Sequence, residues 1–254
     1  MTNINNTIKV LDHGFVTLRN ISGPTRRTFD YVPNDVLHQT EIIERDFDVD
    51  DTDVANSARM SFDQSDLERT YEVEMKLNKY LMANRHMTPF ESIEVWLEMK
   101  LPIFVARQFV RHRTAALNEV SGRYVTLPAE WYIPDVVGGK PENKKQGQSD
   151  NLSFDKQALF KRELDEHCQV GYEAYIAQMN LGVAPEHARL FLSLNHYTHW
   201  LWKQDLRNLF GFLCLRDHSH AQIESQQYAK AIVKLLESQI PGLIGLYKEL
   251  MVQP

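Results

Sequence analysis

The sequence lacks a basic excess and any long apolar run. It contains 28 Lys and Arg residues against 34 Asp and Glu residues, a formal net charge of −6 with neutral histidines. A general nucleic-acid binder would carry a basic excess, so this class is disfavoured, although a local basic site is compatible with the balance. No apolar run approaches the roughly 20 residues of a membrane span, and the first residues lack the basic start and apolar core of a signal peptide. We therefore expect a cytoplasmic protein that binds neither nucleic acid nor membrane.

Cysteine, glycine and proline are also scarce. Cys168 and Cys214 have no C-x-x-C spacing, which argues against a disulfide framework and a cysteine-zinc site. We expect both to be small buried hydrophobic residues. Only 11 Gly and 10 Pro occur among 254 residues, which excludes collagen-like and low-complexity chains. With 43% apolar residues, the length fits a single globular domain over residues 1–254.

One strand and the helix after it give the clearest pattern. Apolar and polar residues alternate over residues 93–101, which is the period of a half-buried strand. After Pro102, apolar residues recur three and four positions apart up to Val110, which predicts a short helix behind a proline. A polar connection at 114–123 follows, and residues 124–127 are interpreted as a second strand.

The remaining pattern is mainly helical. Residues 46–53 form an acidic run that we expect to be a solvated loop rather than a metal site, and residues 138–153 are polar enough to predict an exposed loop. Apolar spacing and the S-x-x-Q capping box at 219–222 predict helices at 65–84, at 154–180, after Pro185 through 194, at 201–215 and at 219–238. The fold class is therefore α/β (α+β), with few strands and several long helices.

A dense basic segment offers the residue types that bind an anion. Within thirteen residues the chain presents Arg111-His-Arg113, Asn118-Glu119 and Ser121-Gly-Arg123. Arginine supplies a planar fork of donors that suits phosphate, and a glycine lets the backbone approach a ligand closely. Arg189 and Arg216 lie in apolar helical patterns, so we expect both to be partly desolvated and partnered. The alternative is that these arginines only form ion pairs with acidic neighbours.

A second polar group leaves two interpretations open. His220 and Glu224 lie four positions apart, which allows two metal ligands on one helical face, but a histidine at a helix start is more often a capping residue. His86 fits either a cation at a helix C-terminus or a site residue. The chain has no glycine-rich dinucleotide fingerprint, Walker loop or nucleophile elbow, so a flavin or nicotinamide would bind without a Rossmann motif.

The run Arg111-His-Arg-x7-Ser121 resembles the R-H-R-x7-S signature of the flavin-dependent thymidylate synthases, known as ThyX. Further segments are similar to that family in the same order, and the similarity extends over about residues 54–236. They are Ala58-Arg-Met-Ser61, His86-Met-Thr-Pro-Phe-Glu91 and, later, the pairs ending in Arg189, Arg207 and Arg216 with His220-Ala-Gln222.

The resemblance implies a small, mainly antiparallel sheet flanked by several long helices, and a homotetramer whose active sites are shared between subunits. It implies conversion of dUMP to dTMP with 5,10-methylenetetrahydrofolate as the one-carbon donor. FAD reduced by NADPH would supply the hydride, without a cysteine nucleophile and without a metal.

The resemblance also assigns site residues by matched position. Catalytic roles fall on Arg216, which faces the uracil and favours its ionisation at N3, and on Ser121. The dUMP contacts are Gln108, Arg111, Glu119, Ser121, Gly122, Arg123, Arg189 and Arg216. The FAD contacts are Ser61, His86, Thr88, Arg111, His112, Arg113, Glu119, Asp205, Arg207, Gly211 and His220. Asp205 and Gly211 depart from the family, which often has a side-chain amide there, and Ala116 replaces a frequent serine.

Two other function classes compete with this interpretation. A catalytically silent nucleotide-binding protein would keep the arginines and lose the flavin, as the departures at Asp205 and Gly211 suggest. A metal hydrolase would use His220 and Glu224 and would carry a stoichiometric metal.

Overall fold

A computed structural model describes residues 6–24, 28–34, 39–45, 49–62, 69–142 and 147–252. The chain divides into two compact units. The first unit comprises Met1–Arg19, Trp96–Lys203 and Phe212–Leu235, and the second comprises Asn20–Val95, Gln204–Gly211 and Leu236–Pro254. The expectation of one domain over residues 1–254 stays a prediction.

Seven strands form two sheets in the described residues. They are β1 (Thr7–Val10), β2 (Gly14–Ser22), β3 (Thr28–Asn34), β4 (Gln39–Arg45), β5 (Glu94–Pro102), β6 (Ala116–Glu119) and β7 (Tyr197–Asp205). The larger sheet has the order β1-β2-β5-β7-β6, and β3 pairs with β4 separately. The pairs β1–β2, β3–β4 and β6–β7 are antiparallel, with Glu119 opposite Trp200 in the last.

Eight α-helices accompany the sheets in the same residues. They are α1 (Asp53–Arg59), α2 (Tyr71–Ala83), α3 (Ile103–Phe109), α4 (Phe154–Asn180), α5 (Pro185–Ala188), α6 (Leu206–Arg216), α7 (Ile223–Glu237) and α8 (Pro241–Leu250). Short 3-10 helices lie at Met60–Phe62, Thr88–Ser92 and Arg189–Phe191. The predicted α+β class, with a small antiparallel sheet and several long helices, is confirmed.

The alternation at 93–101 produces β5 as expected. Its apolar side chains from Val95 to Leu101 are at most 1% exposed, whereas the residues between them are half-buried. Pro102 then takes the N-cap position of α3, because its fixed φ suits a helix start and no N–H is needed there. The predicted helices after Pro102 and at 154–180 are both confirmed. Helix α4 ends just before Gly182, which adopts the left-handed conformation with φ +84°.

Aromatic packing forms the core of the first unit. The fully buried ring of Phe109, the last residue of α3, lies 4.8 Å from the ring of Phe212 on α6. It also lies 6.3 Å from Trp202 on β7 and 6.2 Å from Tyr228 on α7. One ring therefore ties four elements together, with edge-to-face geometry at Phe212 and Tyr228.

A buried carboxylate organises the second unit. The side chain of Asp51 accepts hydrogen bonds from the backbone N–H groups of Gly242 and Leu243, at 2.9 and 2.7 Å, and from the Tyr71 hydroxyl at 2.9 Å. The carboxylate thus caps the N-terminus of α8, where helix amides attract negative charge. A Cβ at Gly242 would lie 2.8 Å from an Asp51 oxygen, so this glycine permits the close approach.

This cap corrects one expectation about the acidic run at 46–53. Asp51 and Asp53 are 4% and 3% exposed, so a solvated loop is the wrong prediction for them. Residues 46–48 lie outside the described residues. Burial and Asp51 together raise the pKa of Tyr71 to about 12, which keeps the phenol protonated as the donor in this contact.

Two predicted elements near the arginine segment are wrong. Residues 124–127 are not a strand but the end of the turn at 122–124 and the irregular chain after it, and the strand is β6 at 116–119. Because β6 is an exposed edge strand, its sequence has no apolar alternation to detect. Residues 201–205 belong to strand β7 and not to a helix. The polar residues Thr198 and Gln204 occupy buried positions of β7, so the sequence does not show the alternation of apolar and polar residues that predicts a strand.

Three predicted helices differ from the structure in their bounds. The helix after Pro185 ends at Ala188 and continues only as a 3-10 turn to Phe191. Helix α7 begins at Ile223, so Ser219 is not its N-cap. Helix α2 covers only 71–83, and residues 65–68 of the predicted helix lie outside the described residues. The loop at 138–153 is irregular where it is described, with an isolated bridge between Gly138 and Asn151.

The two cysteines differ in burial. Cys168 is buried as expected, whereas the expectation is wrong for Cys214, which is partly exposed, and both are free thiols. None of the helices in the described ranges combines the length and the apolarity that crossing a bilayer requires.

We predict that Asp51→Ala lowers the free energy of unfolding by about 3 kcal/mol, because three donors, among them the buried N–H of Leu243, lose their acceptor. Urea denaturation monitored by circular dichroism measures this change. Glu249→Ala is the matched control on the same helix, since its ion pair with Lys79 is half-exposed and should contribute less than about 1 kcal/mol. Equal midpoints for the two variants would contradict the role of Asp51.

Candidate active site

The basic segment leaves the end of α3 and runs through β6 into a turn. The backbone N–H of His112 donates to the carbonyl of Phe109 at 3.0 Å, so the segment starts directly at the buried aromatic core. The side chains of Arg111 and Arg113 are exposed and form no hydrogen bond or ion pair with any residue in the described ranges. Their guanidinium groups are therefore available to an anionic ligand.

His112, between these arginines, faces inward. Its ring packs edge-to-face on Phe212, with 4.9 Å between the ring centroids. Burial, and then the positive charge of Arg216, lower the pKa of His112, so the imidazole is neutral at pH 7. A neutral imidazole offers one donor and one acceptor to a ligand.

The strand and turn after the arginines place Glu119, Ser121, Gly122 and Arg123. The Glu119 carboxylate accepts a hydrogen bond from the Thr198 hydroxyl. The Ser121 carbonyl accepts the N–H of Tyr124 at 3.0 Å, and the Ser121 hydroxyl accepts the N–H of Arg123 at 3.3 Å. This turn therefore holds the serine hydroxyl in a fixed local frame.

Gly122 and Arg123 have different local constraints. A Cβ at Gly122 would lie 3.1 Å from the Leu127 side chain and 3.5 Å from the Arg189 side chain, so the absence of a side chain permits tight packing. Arg123 pairs with Glu186 at 3.3 Å, and both partners are about half-exposed. Within the described part of the chain, internal ion pairing holds for Arg123 and not for Arg111 or Arg113.

Arg189 does not meet the expectation of burial. It begins the 3-10 turn after α5 and is exposed, with no hydrogen bond or ion pair from its side chain within the described part of the chain. Only Ala188 beside it is fully buried, because α5 ends there and the helical pattern does not continue. The predicted partner is thus not found among the described residues, and the guanidinium is available to a ligand.

Arg216 is the partly desolvated arginine that the sequence predicted. It lies in the last turn of α6, where helix carbonyls favour a cation. Its Nη2 donates to the backbone oxygen of Gln108 at 3.2 Å. The Nε atom is buried and has no hydrogen-bond partner among the described residues. Burial lowers the pKa of Arg216 from its ordinary value, which reflects the cost of desolvating this charge.

Gln108 connects Arg216 to the start of α7. Its Nε2 donates to Oε1 of Gln222, and its Oε1 accepts the hydroxyl of the fully buried Ser225 at 3.3 Å. The sequence placed Gln222 in a capping box and in the family-like segment at 220–222, without a contact to Gln108, and did not single out Ser225.

The second unit holds Ser61, His86 and Thr88, all of them exposed. Ser61 lies in the 3-10 turn directly after Arg59, whose guanidinium pairs with the buried Glu74. The ring of His86 packs edge-to-face on Tyr80, with 6.1 Å between centroids. The imidazole and the two hydroxyl groups are thus presented on the surface of the second unit.

Asp205, Arg207 and Gly211 also belong to the second unit. Both oxygens of Asp205 accept hydrogen bonds from Asn208, its backbone N–H at 2.9 Å and its side-chain amide at 2.6 Å, so this residue caps α6. Arg207 pairs with Glu91. A Cβ at Gly211 would meet open space, so no local crowding requires glycine there. Capping accounts for an aspartate at position 205 where the family often has an amide.

His220 lies before α7 in the first unit. Its ring stacks on His218 with 5.0 Å between centroids, and its backbone N–H donates to Nδ1 of His218. Glu224 is buried and accepts the Tyr132 hydroxyl at 3.2 Å. Among the described residues, no group of three or more His, Cys, Asp or Glu side chains could hold a metal ion.

All eight predicted dUMP residues lie in the first unit. Hydrogen bonds join Arg216 to Gln108, and Gln108 to Gln222 and Ser225. The guanidinium groups of Arg111, Arg113 and Arg189 have no partner among the described residues. This donor set fits a nucleotide phosphate and a dinucleotide pyrophosphate. The predicted FAD residues are divided between the first and second units.

Comparisons with known proteins agree with this chemistry. The family model described as thymidylate synthase complementing protein matches residues 42–242. A flavin-dependent thymidylate synthase from Thermus thermophilus is 38% identical over 248 residues, covering 97% of this chain and 80% of the relative. One from Gluconobacter oxydans is 37% identical over 225 residues, covering 86% and 73%.

A solved structure is similar over the whole fold. The UMP/dUMP methylase PolB from Streptomyces cacaoi, bound with 5-Br dUMP, superposes with a TM-score of 0.77 at 25% identity. The similarity covers 97% of this chain and 100% of that one. With the family model and the sequence relatives, these matches show that the chain belongs to the family of flavin-dependent thymidylate synthases.

Proposed function

We propose that this protein converts dUMP to dTMP, with 5,10-methylenetetrahydrofolate as the one-carbon donor and FAD reduced by NADPH as the source of hydride. The observation that carries the proposal is Arg216, a partly buried guanidinium held by Gln108 while its Nε lacks a partner in the described residues. A fixed cation of this kind suits a substrate that becomes anionic during the reaction.

Phosphate binding falls to the exposed arginines. Arg111 and Arg189 have no internal partner among the described residues, so their full donor sets can bind the phosphate of dUMP. Arg123 would also bind the phosphate, either by leaving Glu186 or by contacting both groups at once. Its ion pair with Glu186 is half-exposed and therefore weak in water. The Ser121 hydroxyl and the carboxylate of Glu119 complete a set that can orient the sugar and base.

Arg216 would act on the uracil ring. A guanidinium beside N3 stabilises the anionic form of the base, which raises the electron density at C5, where the new carbon bond forms. Partial burial strengthens this effect, because water screens the charge less there than at the surface. The side-chain nitrogen of Gln108 carries two hydrogens. One donates to Gln222, and the other can donate to the substrate.

The residues proposed to hold FAD are Ser61, His86, Thr88, Arg111, His112, Arg113, Glu119, Arg207 and His220. Bound FAD supplies hydride chemistry that amino-acid side chains lack. The neutral His112 and the exposed hydroxyl groups provide donors and acceptors for a ring system. Both Asp205 oxygens already accept hydrogen bonds from Asn208, so the proposal does not depend on Asp205 or on Gly211.

Self-association as a homotetramer with shared sites is part of the proposal. Helix α4 spans 27 residues, yet only Cys168 and Tyr175 are buried along it. Its apolar residues Phe154 and Val170 are 83% and 65% exposed. A long helix that leaves such residues in water supports packing against further copies of the chain.

The activity test uses the purified full chain with FAD. We expect the protein to bind FAD, to oxidise NADPH faster when dUMP is added, and to form dTMP only when methylenetetrahydrofolate is present. Absorbance spectra, NADPH oxidation and chromatography of the nucleotides measure the three results. Binding of dUMP without binding of FAD would instead identify a silent nucleotide-binding protein, and a stoichiometric metal would favour a hydrolase.

Removing the uracil-facing cation should abolish most turnover. We predict that Arg216→Ala lowers kcat for dTMP formation by at least about 100-fold, because a preorganised charge beside the reacting base is lost. Arg162→Ala is the control, since Arg162 is an exposed arginine on α4 with a weak pair to Glu166. Steady-state kinetics compare the two variants, and a similar kcat for both would contradict the role of Arg216.

The reaction should not need a thiol nucleophile. The Cys168 thiol is buried among Ser193 and Asn195 and is not presented to a substrate. We predict that the variant with Cys168→Ala and Cys214→Ala keeps dTMP formation within about threefold of the wild type. If the mechanism used a thiol nucleophile, this variant would lose its activity. Circular dichroism checks the fold of the variant. Complete loss of turnover in a folded variant would refute the cysteine-free route.

A further inference from the structure

Both the nitrogen and the oxygen of the Gln108 side-chain amide form hydrogen bonds, one with the residue just before α7 and one with a residue in its first turn. Its nitrogen donates to Oε1 of Gln222, and its oxygen accepts the Ser225 hydroxyl at 3.3 Å. The amide nitrogen of Gln108 therefore donates at one end and its oxygen accepts at the other, so both ends of the side chain are hydrogen-bonded. We call Gln222 and Ser225 the Gln108 clamp.

The same residue holds Arg216 through its backbone. The carbonyl oxygen of Gln108 accepts Nη2 of Arg216 at 3.2 Å. Gln108 is the penultimate residue of α3, so its carbonyl belongs to the last turn and its position depends on how that turn is anchored. Phe109 anchors one side of the turn by apolar packing, and the clamp anchors the other by hydrogen bonds.

We propose that Gln222 and Ser225 are positioning residues that set the direction of the Arg216 guanidinium through Gln108. This inference rests on the proposed function, in which Arg216 faces the uracil ring. Gln222 and Ser225 need not touch the substrate. They determine where the carbonyl of Gln108 lies, and that carbonyl is the hydrogen-bond acceptor of Arg216.

Helix α7 does not need the clamp for its own burial. Tyr228, Ala229 and Ile232 are fully buried along the same helix, and the Tyr228 hydroxyl donates to the Lys100 carbonyl at 2.7 Å. These contacts anchor α7 within the first unit independently of Gln222. Loss of the clamp should therefore alter the geometry of the site much more than the stability of the fold.

A double-mutant cycle between Gln222 and Gln108 tests the proposal in the FAD-loaded enzyme. We expect Gln222→Ala to lower kcat for dTMP formation about tenfold, because a misdirected guanidinium stabilises the anionic uracil less well. The KM for dUMP should stay within about threefold, because Arg111 and Arg189 are not held by the clamp. In the Gln108→Ala background, Gln222→Ala should cause no further loss, because the contact is already absent.

The matched control is Gln226→Ala. Gln226 lies in the first turn of α7, four residues after Gln222. Its side-chain amide donates to the backbone oxygen of Ala221 at 2.8 Å and not to Gln108. This variant loses a hydrogen bond at the same helix end, so we expect a similar Tm change but a kcat close to that of the wild type. An equal loss of kcat in Gln226→Ala would overturn the proposal, as would equal effects of Gln222→Ala in both backgrounds.

Ser225→Ala provides a second, nearly isosteric variant in case Gln222→Ala fails to fold. It removes the other end of the clamp and should also lower kcat with little change in KM. An unchanged kcat in folded Ser225→Ala and Gln222→Ala would overturn the inference while leaving the proposed function intact. A wild-type protein that forms no dTMP would instead overturn the proposed function.

Discussion

The packing of Phe109 is the interaction on which the arrangement of the first unit depends. Its ring is fully buried against Trp202, Phe212 and Tyr228, and thereby fixes the end of α3 against β7, α6 and α7. Gln108 turns toward Arg216 and α7, and the chain after Val110 carries the exposed arginines. A hydrophobic anchor therefore places charged groups at the surface without using those charges to hold the fold.

The sequence predicted the elements in which apolar residues recur at one constant spacing along the whole element. Strand β5 and helices α3 and α4 were identified because burial follows a simple alternation or a clear helical boundary. Strand β7 was missed because the polar Thr198 and Gln204 occupy buried positions, and β6 because an exposed edge strand has no apolar face. Asp51 could not be placed either, since its role depends on residues about 190 positions away in the chain.

The site was predictable at the level of residue types and not at the level of contacts. The arginine motif indicated an anion site, but the sequence could not distinguish Arg123, which has an internal ion pair, from Arg111 and Arg189, which have none within the described residues. Desolvation was foreseen for both Arg189 and Arg216 and occurs only at Arg216. The difference arises because α5 ends at Ala188, whereas α6 continues to Arg216. Gln222 and Ser225 became visible only through their contacts with Gln108.

The central claim is that the exposed arginines Arg111 and Arg189, placed by a fixed aromatic core, bind a small phosphorylated nucleotide, despite the overall negative charge of the chain. Calorimetric titration of the FAD-loaded protein with dUMP and with deoxyuridine tests it most directly. Because the two ligands differ only in the phosphate, the account predicts a Kd for deoxyuridine at least about 100-fold higher than that for dUMP. Equal Kd values for the two ligands would contradict it.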